Sequence, residues 1–329
     1  MNFQRIVNIL ISICLASVGL TAQNIPSVPE AILKLDSISV LVIDSGLGGL
    51  SVVAGIERLN DEQGQYRTIR VTFCNALPSA GHGYNDMITM EEKASIFSAS
   101  LKGMIDCSQP DFILIACNTL SVVYPRTSFA KTASIPIVGI VELGAEMIAH
   151  NMKMNPDAYA IIFGTETTIR SETHRVLLAQ AGIDTARILT QACPRLESEI
   201  QIDPHSEVVQ SFIEIYIEEA MKQLKRTDIP IVAALCCTHY GYSMDLFKST
   251  FTNLGVKRIE LLNPNDRLSA ILFVSSMKRE KRDISFTAKV YSRVQFSDDE
   301  IAAISRLLEK EAPLTAQALR TYRYDAKLF

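Results

Sequence analysis

Short apolar, β-branched runs alternate along the chain with longer stretches whose apolar positions recur at helical spacing. The runs cover residues 40–43, 70–73, 112–116, 136–140, 158–163, 231–235 and 258–262. The helical stretches include residues 50–59, 91–105, 168–180 and 207–224. Residues 285–291 and 298–309 read as a final strand and helix. The runs are apolar throughout rather than alternating with polar residues. That is the pattern of strands covered on both faces, so the chain is predicted to be α/β, with mainly parallel sheets flanked by helices. In such sheets, ligands bind beyond the carboxyl ends of the strands.

Ahead of this pattern lies a different one. Arg5 precedes an apolar stretch over residues 6–20, and Thr21-Ala22 places small residues at its end. A stretch of about 15 residues falls short of the roughly 20 that span a bilayer, so residues 1–22 read as a secretory signal peptide. The protein is then expected to be exported to the periplasm, a reading that rests on this leader alone. A retained tether is the competing reading. Lipidation at Cys14 is disfavoured by bulky Ile13 before it. Residues 23–38 read as a linker.

Over the whole chain, 48% hydrophobic and 21% charged residues suffice for a buried core. A net charge of −4 leaves no basic surface for nucleic acid or anionic membrane, so the expected partner is a small molecule. Past Cys14, six cysteines remain: Cys74, Cys107, Cys117, Cys193, Cys236 and Cys237. An even count in an exported chain suggests disulfides. Cys74, Cys117, Cys236 and Cys237, however, sit in or at the ends of apolar runs, where buried or reactive thiols belong, so mostly free thiols are expected.

Four strand ends carry the candidate chemistry. Val42-Ile43 leads into Asp44-Ser45-Gly46-Leu47-Gly48-Gly49, and Ala116 into Cys117-Asn118-Thr119. Ile162-Phe163 leads into Gly164-Thr165, and Leu235-Cys236 into Cys237-Thr238-His239-Tyr240. The spacing from Asp44 to Cys117 equals that from Gly164 to Cys237, which suggests two copies of a half-domain. The glycine turn lacks the dinucleotide and P-loop fingerprints, and a cradle for a small carboxylate or a plain structural turn fits it better. Thr119 and Thr238 are expected to cap the helices that follow. His239 is the candidate proton partner of Cys237. Asp44 is that of Cys117, provided that the first and third strands are neighbours. Two thiols facing each other across a cleft fit two-base epimerisation of a carbon. A Cys–His acyl-transfer enzyme is a weaker fit, and Cys236-Cys237-x-His239 is too cramped for zinc, so no metal is expected. His82, His150, His174 and His205 show no partner in the sequence and default to the surface.

These segments resemble the glutamate racemases of the cofactor-independent aspartate/glutamate racemase superfamily. The resemblance rests on residues 42–51, Ala116-Cys117-Asn118-Thr119, residues 135–142, residues 164–171 and Cys237-Thr238-His239-Tyr240, in the family's order. It implies two pseudo-symmetric lobes with the active site in the cleft between them. Lobe A would span residues 39–143 plus 261–311 and lobe B residues 144–260, with residues 312–329 as a C-terminal extension. It implies amino-acid racemisation without a cofactor, with Cys117 and Cys237 as the two acid/bases, Asp44 supporting the first and His239 the second. Ser45, Tyr84, Asn85, Asn118, Thr119 and Thr238 would bind the substrate. A homodimer is a further expectation. Three positions depart from the family. Asn85 stands where the family has glycine, Gln201 where it has an acidic residue, and Asn263 where it has aspartate. These leave the substrate open among glutamate, aspartate, another amino acid or a hydantoin. An exported amino-acid-binding protein without catalysis is the reading from a different class.

Overall fold

The computed structural model describes residues 28–224, 228–274 and 284–329. The expected signal peptide and Cys14 lie outside the described residues. Ten strands are found among them, in two sheets. Strands β1 (Ser37–Asp44), β2 (Thr68–Asn75), β3 (Phe112–Ile115) and β4 (Ile137–Gly139) lie in the first sheet. Strands β5 (Tyr159–Gly164), β6 (Ile188–Ala192), β7 (Ile231–Cys236) and β8 (Ile259–Leu262) form the second. Strands β9 (Ser285–Ser292) and β10 (Arg323–Tyr324) return to the first. The orders are β10-β9-β2-β1-β3-β4 and β6-β5-β7-β8, and every pairing is parallel.

Set side by side, β2-β1-β3-β4 and β6-β5-β7-β8 are the same arrangement, so the matched spacing in the sequence corresponds to a repeated topology. In the second sheet, alternate residues face opposite cores. Ile161, Phe163, Ala233, Leu235 and Cys237 join one cluster, while Ala160, Ile162, Val232, Ala234 and Cys236 join another. This period of two puts Cys236 into a core and Cys237 on the other face.

The helix Ile140–Met154 links the lobes. Its first turns (Ile140, Val141, Leu143) are buried in the first lobe's core, and Ile148, Ala149 and Met152 are buried in the second's. The expected boundary at residue 143 therefore falls inside one continuous helix. The chain returns through the helix Pro264–Ala270, capped by Asn263, whose Oδ1 accepts from the Asn265 N–H.

Several sequence expectations change on folding. Residues 168–180 do not form one helix: Glu166–Arg170 and Thr173–Gln180 are separated at Glu172, whose φ is 54°. Residues 312–329 do not stand apart from lobe A. Thr315 donates to buried Glu57, β10 extends the first sheet, and the Phe329 carbonyl accepts from Arg293. His174 is buried rather than at the surface, and burial lowers its pKa to about 4. The six described cysteines are free. Among the described residues, no helix is long and apolar enough to cross a membrane.

Candidate active site

The carboxyl ends of β1, β3, β5 and β7 converge on one cavity of about 480 Å³. Asp44, Ser45, Tyr84, Asn85, Cys117, Asn118, Thr119, Cys237, Thr238 and His239 all line it. Strand pairing explains the convergence. β1 pairs with β3 in register Ile43 to Ile115, which sets Asp44 and Ser45 beside the turn that carries Cys117. β5 pairs with β7 in register Gly164 to Cys236, which sets Thr165 beside Cys237.

Cys117 is the N-cap of the short helix Asn118–Val123, and its Sγ accepts from the Leu120 N–H at 3.4 Å. Ser45 Oγ lies 3.2 Å from the same sulfur. The cap is thus the cysteine rather than the expected Thr119, whose hydroxyl instead meets Thr165 Oγ1 at 2.8 Å across the cleft. Cys237 likewise takes the N-cap place of the turn Thr238–Ser243, in place of the expected Thr238. Thr238 Oγ1 reaches into the first lobe and donates to Asp44 Oδ2 at 2.9 Å. His239 Nδ1 stands 3.9 Å from Cys237 Sγ.

Burial governs the electrostatics. It pushes the Cys117 thiol up to about 12, and the charge of Asp44 adds to the push. The Cys237 thiol is also pushed up, first by burial and then by the charge of Glu197. Asp44 is raised to about 6 by burial, against the lowering effect of the Thr238 hydroxyl and the Ser45 and Gly49 N–H groups. Burial lowers His239 to about 4, so its ring is neutral at pH 7. Neither thiol ionises by itself at neutral pH, and each needs a proton acceptor or an incoming positive charge.

The glycine turn does not present its N–H groups as an anion cradle. Leu47 N–H donates to Gln201 Oε1 at 2.8 Å and Gly49 N–H to Asp44 Oδ2, while Gly48 N lies 3.1 Å from His239 Nε2. The turn serves close approach instead. A Cβ on Gly48 would lie 2.6 Å from the His239 backbone nitrogen, and one on Gly46 2.7 Å from His239 Cε1. Tyr84 commits its hydroxyl to the Ala76 carbonyl at 3.2 Å, so only its ring is offered to the cavity. Asn85 Nδ2 donates to Glu197 Oε1 at 3.4 Å. Both polar atoms of the buried Asn118 amide have no hydrogen-bond partner among the described residues, which marks them as groups for a polar ligand.

Sequence reasoning did not assign Thr165, Glu166 or Glu300 to the cavity that they line. Thr165 carried a usable signal: the offset of 120 residues from Cys117 to Cys237 also carries Ser45 onto Thr165. Glu197 and Glu300 lie on helices with no such repeat, and only packing brings them in.

No family model matches the chain. It is 27% identical over 241 residues to the glutamate racemase of Staphylococcus aureus (strain JH9), covering 71% of this chain and 82% of the relative. It is 24% identical over 202 residues to that of Aquifex pyrophilus, covering 60% and 70%. The fold superposes on the Francisella tularensis glutamate racemase solved with D-glutamate, with a TM-score of 0.62 and 17% identity, over 84% of this chain and 95% of that one. In sequence the chain is thus similar to glutamate racemases, and its fold matches theirs.

Proposed function

We propose that the protein is a cofactor-independent amino-acid racemase, with glutamate the first substrate to test, and that Cys117 and Cys237 exchange the Cα proton. One observation carries this reading: two thiols from equivalent strand ends of opposed lobes line one cavity. In the reaction, one sulfur takes the Cα proton while the electron pair of the C–H bond moves into a planar, enolate-like system. The opposite thiol then delivers its own proton to the other face. A Cα–H is a weak acid, so the developing charge needs donors fixed in advance. The Asn118 amide, with no partner of its own among the described residues, is such a donor within the cavity. The contacts from Leu47 and Asp44 to the second lobe hold the two sides of the cleft together. Asp44 is placed to relieve Cys117 of its proton, and His239 to relieve Cys237.

Proton NMR in D₂O under reducing conditions tests the reading. L-glutamate should lose its Cα–H signal while the D-enantiomer accumulates. Absence of exchange on glutamate, aspartate and glutamine would leave a binding protein on the same fold. The leader supports an exported enzyme that acts on free amino acids. N-terminal sequencing of the secreted form checks this, with Gln23 as the expected first residue.

A further inference from the structure

His239 Nε2 has two neighbours of opposite kind. The Gly48 N–H lies 3.1 Å away and can only donate, while Gln201 Oε1 lies 3.0 Å away and can only accept. One ring nitrogen cannot serve both at once, so whichever contact holds decides where the ring carries its proton.

The orientation of Gln201 is itself fixed. Its Nε2 donates to Glu300 Oε1, and a carboxylate accepts only. Its Oε1 accepts from the Leu47 N–H at 2.8 Å, and a backbone N–H donates only. A flipped amide would set N–H against N–H at Leu47 and oxygen against oxygen at Glu300. Glu300 is anchored in turn, because its Oε2 accepts from the Ser297 N–H and Oγ–H, both at 2.8 Å, in the capping box of the helix Asp298–Glu309. A carboxylate on one lobe therefore fixes an amide on the other, and that amide presents an oxygen to the imidazole.

We propose that Gln201, oriented by Glu300, is a positioning residue that sets the tautomer of His239, keeping the ring proton on Nε2 and turning a bare Nδ1 toward the Cys237 thiol. This rests on the racemase reading for its role in turnover, while the tautomer itself does not depend on that reading. The proton bookkeeping closes. The Cys237 S–H bond breaks, its electron pair stays on sulfur as the base, and the proton binds Nδ1. The resulting imidazolium donates from Nε2 to Gln201 Oε1; as the enzyme resets it releases its proton to water, and the Cys117 thiolate left by delivery to Cα takes one up from water. With the opposite tautomer, Nδ1–H would face the thiol, and no lone pair would be available to receive the proton.

The charged and titratable groups around the ring are Cys237 on its own turn, Asp44 behind Thr238, Glu300 behind Gln201, and Glu197 and Cys117 across the cavity. None of these accepts from Nε2, so no other side chain duplicates the role of the amide.

The test uses ¹⁵N-histidine-labelled full-length mature protein, with the His239 signals assigned by their loss in His239→Gln. The free enzyme should show protonated Nε2 and bare Nδ1. Gln201→Leu should move the ring toward the Nδ1–H tautomer, with Nε2 accepting from Gly48, and should lower kcat/KM about tenfold or more with little change in KM. The racemisation equilibrium forces equal kcat/KM in both directions, so direction is read from isotope effects. The Cα-deuterium effect should rise for the one enantiomer whose proton Cys237 takes. Glu300→Gln, which lets the amide turn, should give the same tautomer shift in smaller degree and serves if Gln201→Leu does not fold. A wild-type ring carrying its proton on Nδ1, or a tautomer unchanged in both variants, overturns the proposal. A tautomer shift that leaves kcat/KM and the isotope effects unchanged overturns its role in turnover. Absence of racemisation with the stated tautomer intact counts against the enzyme reading alone.

Discussion

The two halves of the site share a backbone plan and differ in chemistry. Cys117 follows β3 and Cys237 follows β7, and each takes the N-cap place of the turn that follows it. At the end of the first strand, however, lobe A carries Asp44 where lobe B carries Gly164. Two positions past the thiol, lobe A carries Thr119 where lobe B carries His239. Cys117 thus faces a carboxylate raised to about 6, and Cys237 faces a neutral imidazole lowered to about 4. A fold repeat provides two equivalent positions across one cavity. On the proposed racemase reading, the side chains beside those positions decide how each thiol loses its proton.

The largest expected effect breaks both halves alike. Cys117→Ser and Cys237→Ser should each lower racemisation at least about 10³-fold, because a hydroxyl in place of a thiol is far too weak an acid for the exchange. Chiral chromatography of the product checks this. A loss confined to one variant would end the two-base account.

The next effect separates the halves. Asp44→Asn and His239→Asn should each cost about 10²-fold in kcat/KM, but only Asp44→Asn should alter the acid limb. Asp44 must be ionised to accept a proton, and its pKa is raised to about 6, so wild-type activity should fall as pH drops through about 6. That limb should vanish in Asp44→Asn and persist in His239→Asn.

Gly48→Ala tests the contact between halves. Its Cβ would meet the His239 backbone nitrogen at 2.6 Å, which no rotamer change relieves. Parting the lobes there should cost tens-fold in kcat, since displacements of about 1 Å are known to reduce turnover that strongly. Stopped-flow or steady-state assays on a variant shown to be folded by its Tm would check it.

The smallest effect concerns specificity. Glu197 lines the cavity with no cation bonded to it among the described residues, and burial raises its pKa. An ionised Glu197 disfavours a distal carboxylate on the substrate. Glu197→Gln should raise kcat/KM for glutamate severalfold, on the order of the 1 kcal/mol of a partly screened like-charge pair, and leave glutamine unchanged. A competition assay with both substrates sharpens the point.

Stability reports on the same asymmetry. His239 and His174 are both held neutral by burial, with folded pKa values of about 4 below the ordinary 6.5. A depressed pKa contributes stability that is present above the unfolded value and is lost as pH falls through the folded one. Raised carboxylates such as Asp44 act in the opposite direction over that window, so the effect is read as a difference: between pH 6.5 and 4 the urea midpoint of His174→Leu should lose less, or gain more, than that of the wild type.

Much of this was legible in the chain before folding. Runs apolar throughout marked the buried parallel strands, and the equal spacing from Asp44 to Cys117 and from Gly164 to Cys237 foreshadowed the repeated strand order. Strand β6 escaped notice because it is a sheet edge, half-buried, and so lacks a continuous apolar signature. The break at Glu172 was hidden because its neighbours Thr168, Ile169 and Thr173 keep helical spacing through it.

By itself, the sequence determined which residues end which strands, because strand and turn are set by neighbours a few positions apart. It thereby placed Asp44, Cys117, Cys237 and His239 at carboxyl ends, where α/β sheets bind ligands. Only the tertiary structure decided that Glu300 would orient Gln201, that Gln201 and Gly48 would compete for one ring nitrogen, and that Glu197 would enter the cavity. Those contacts join residues tens to hundreds of positions apart across two lobes. They arise from how two separately packed cores meet, and no local propensity encodes that meeting.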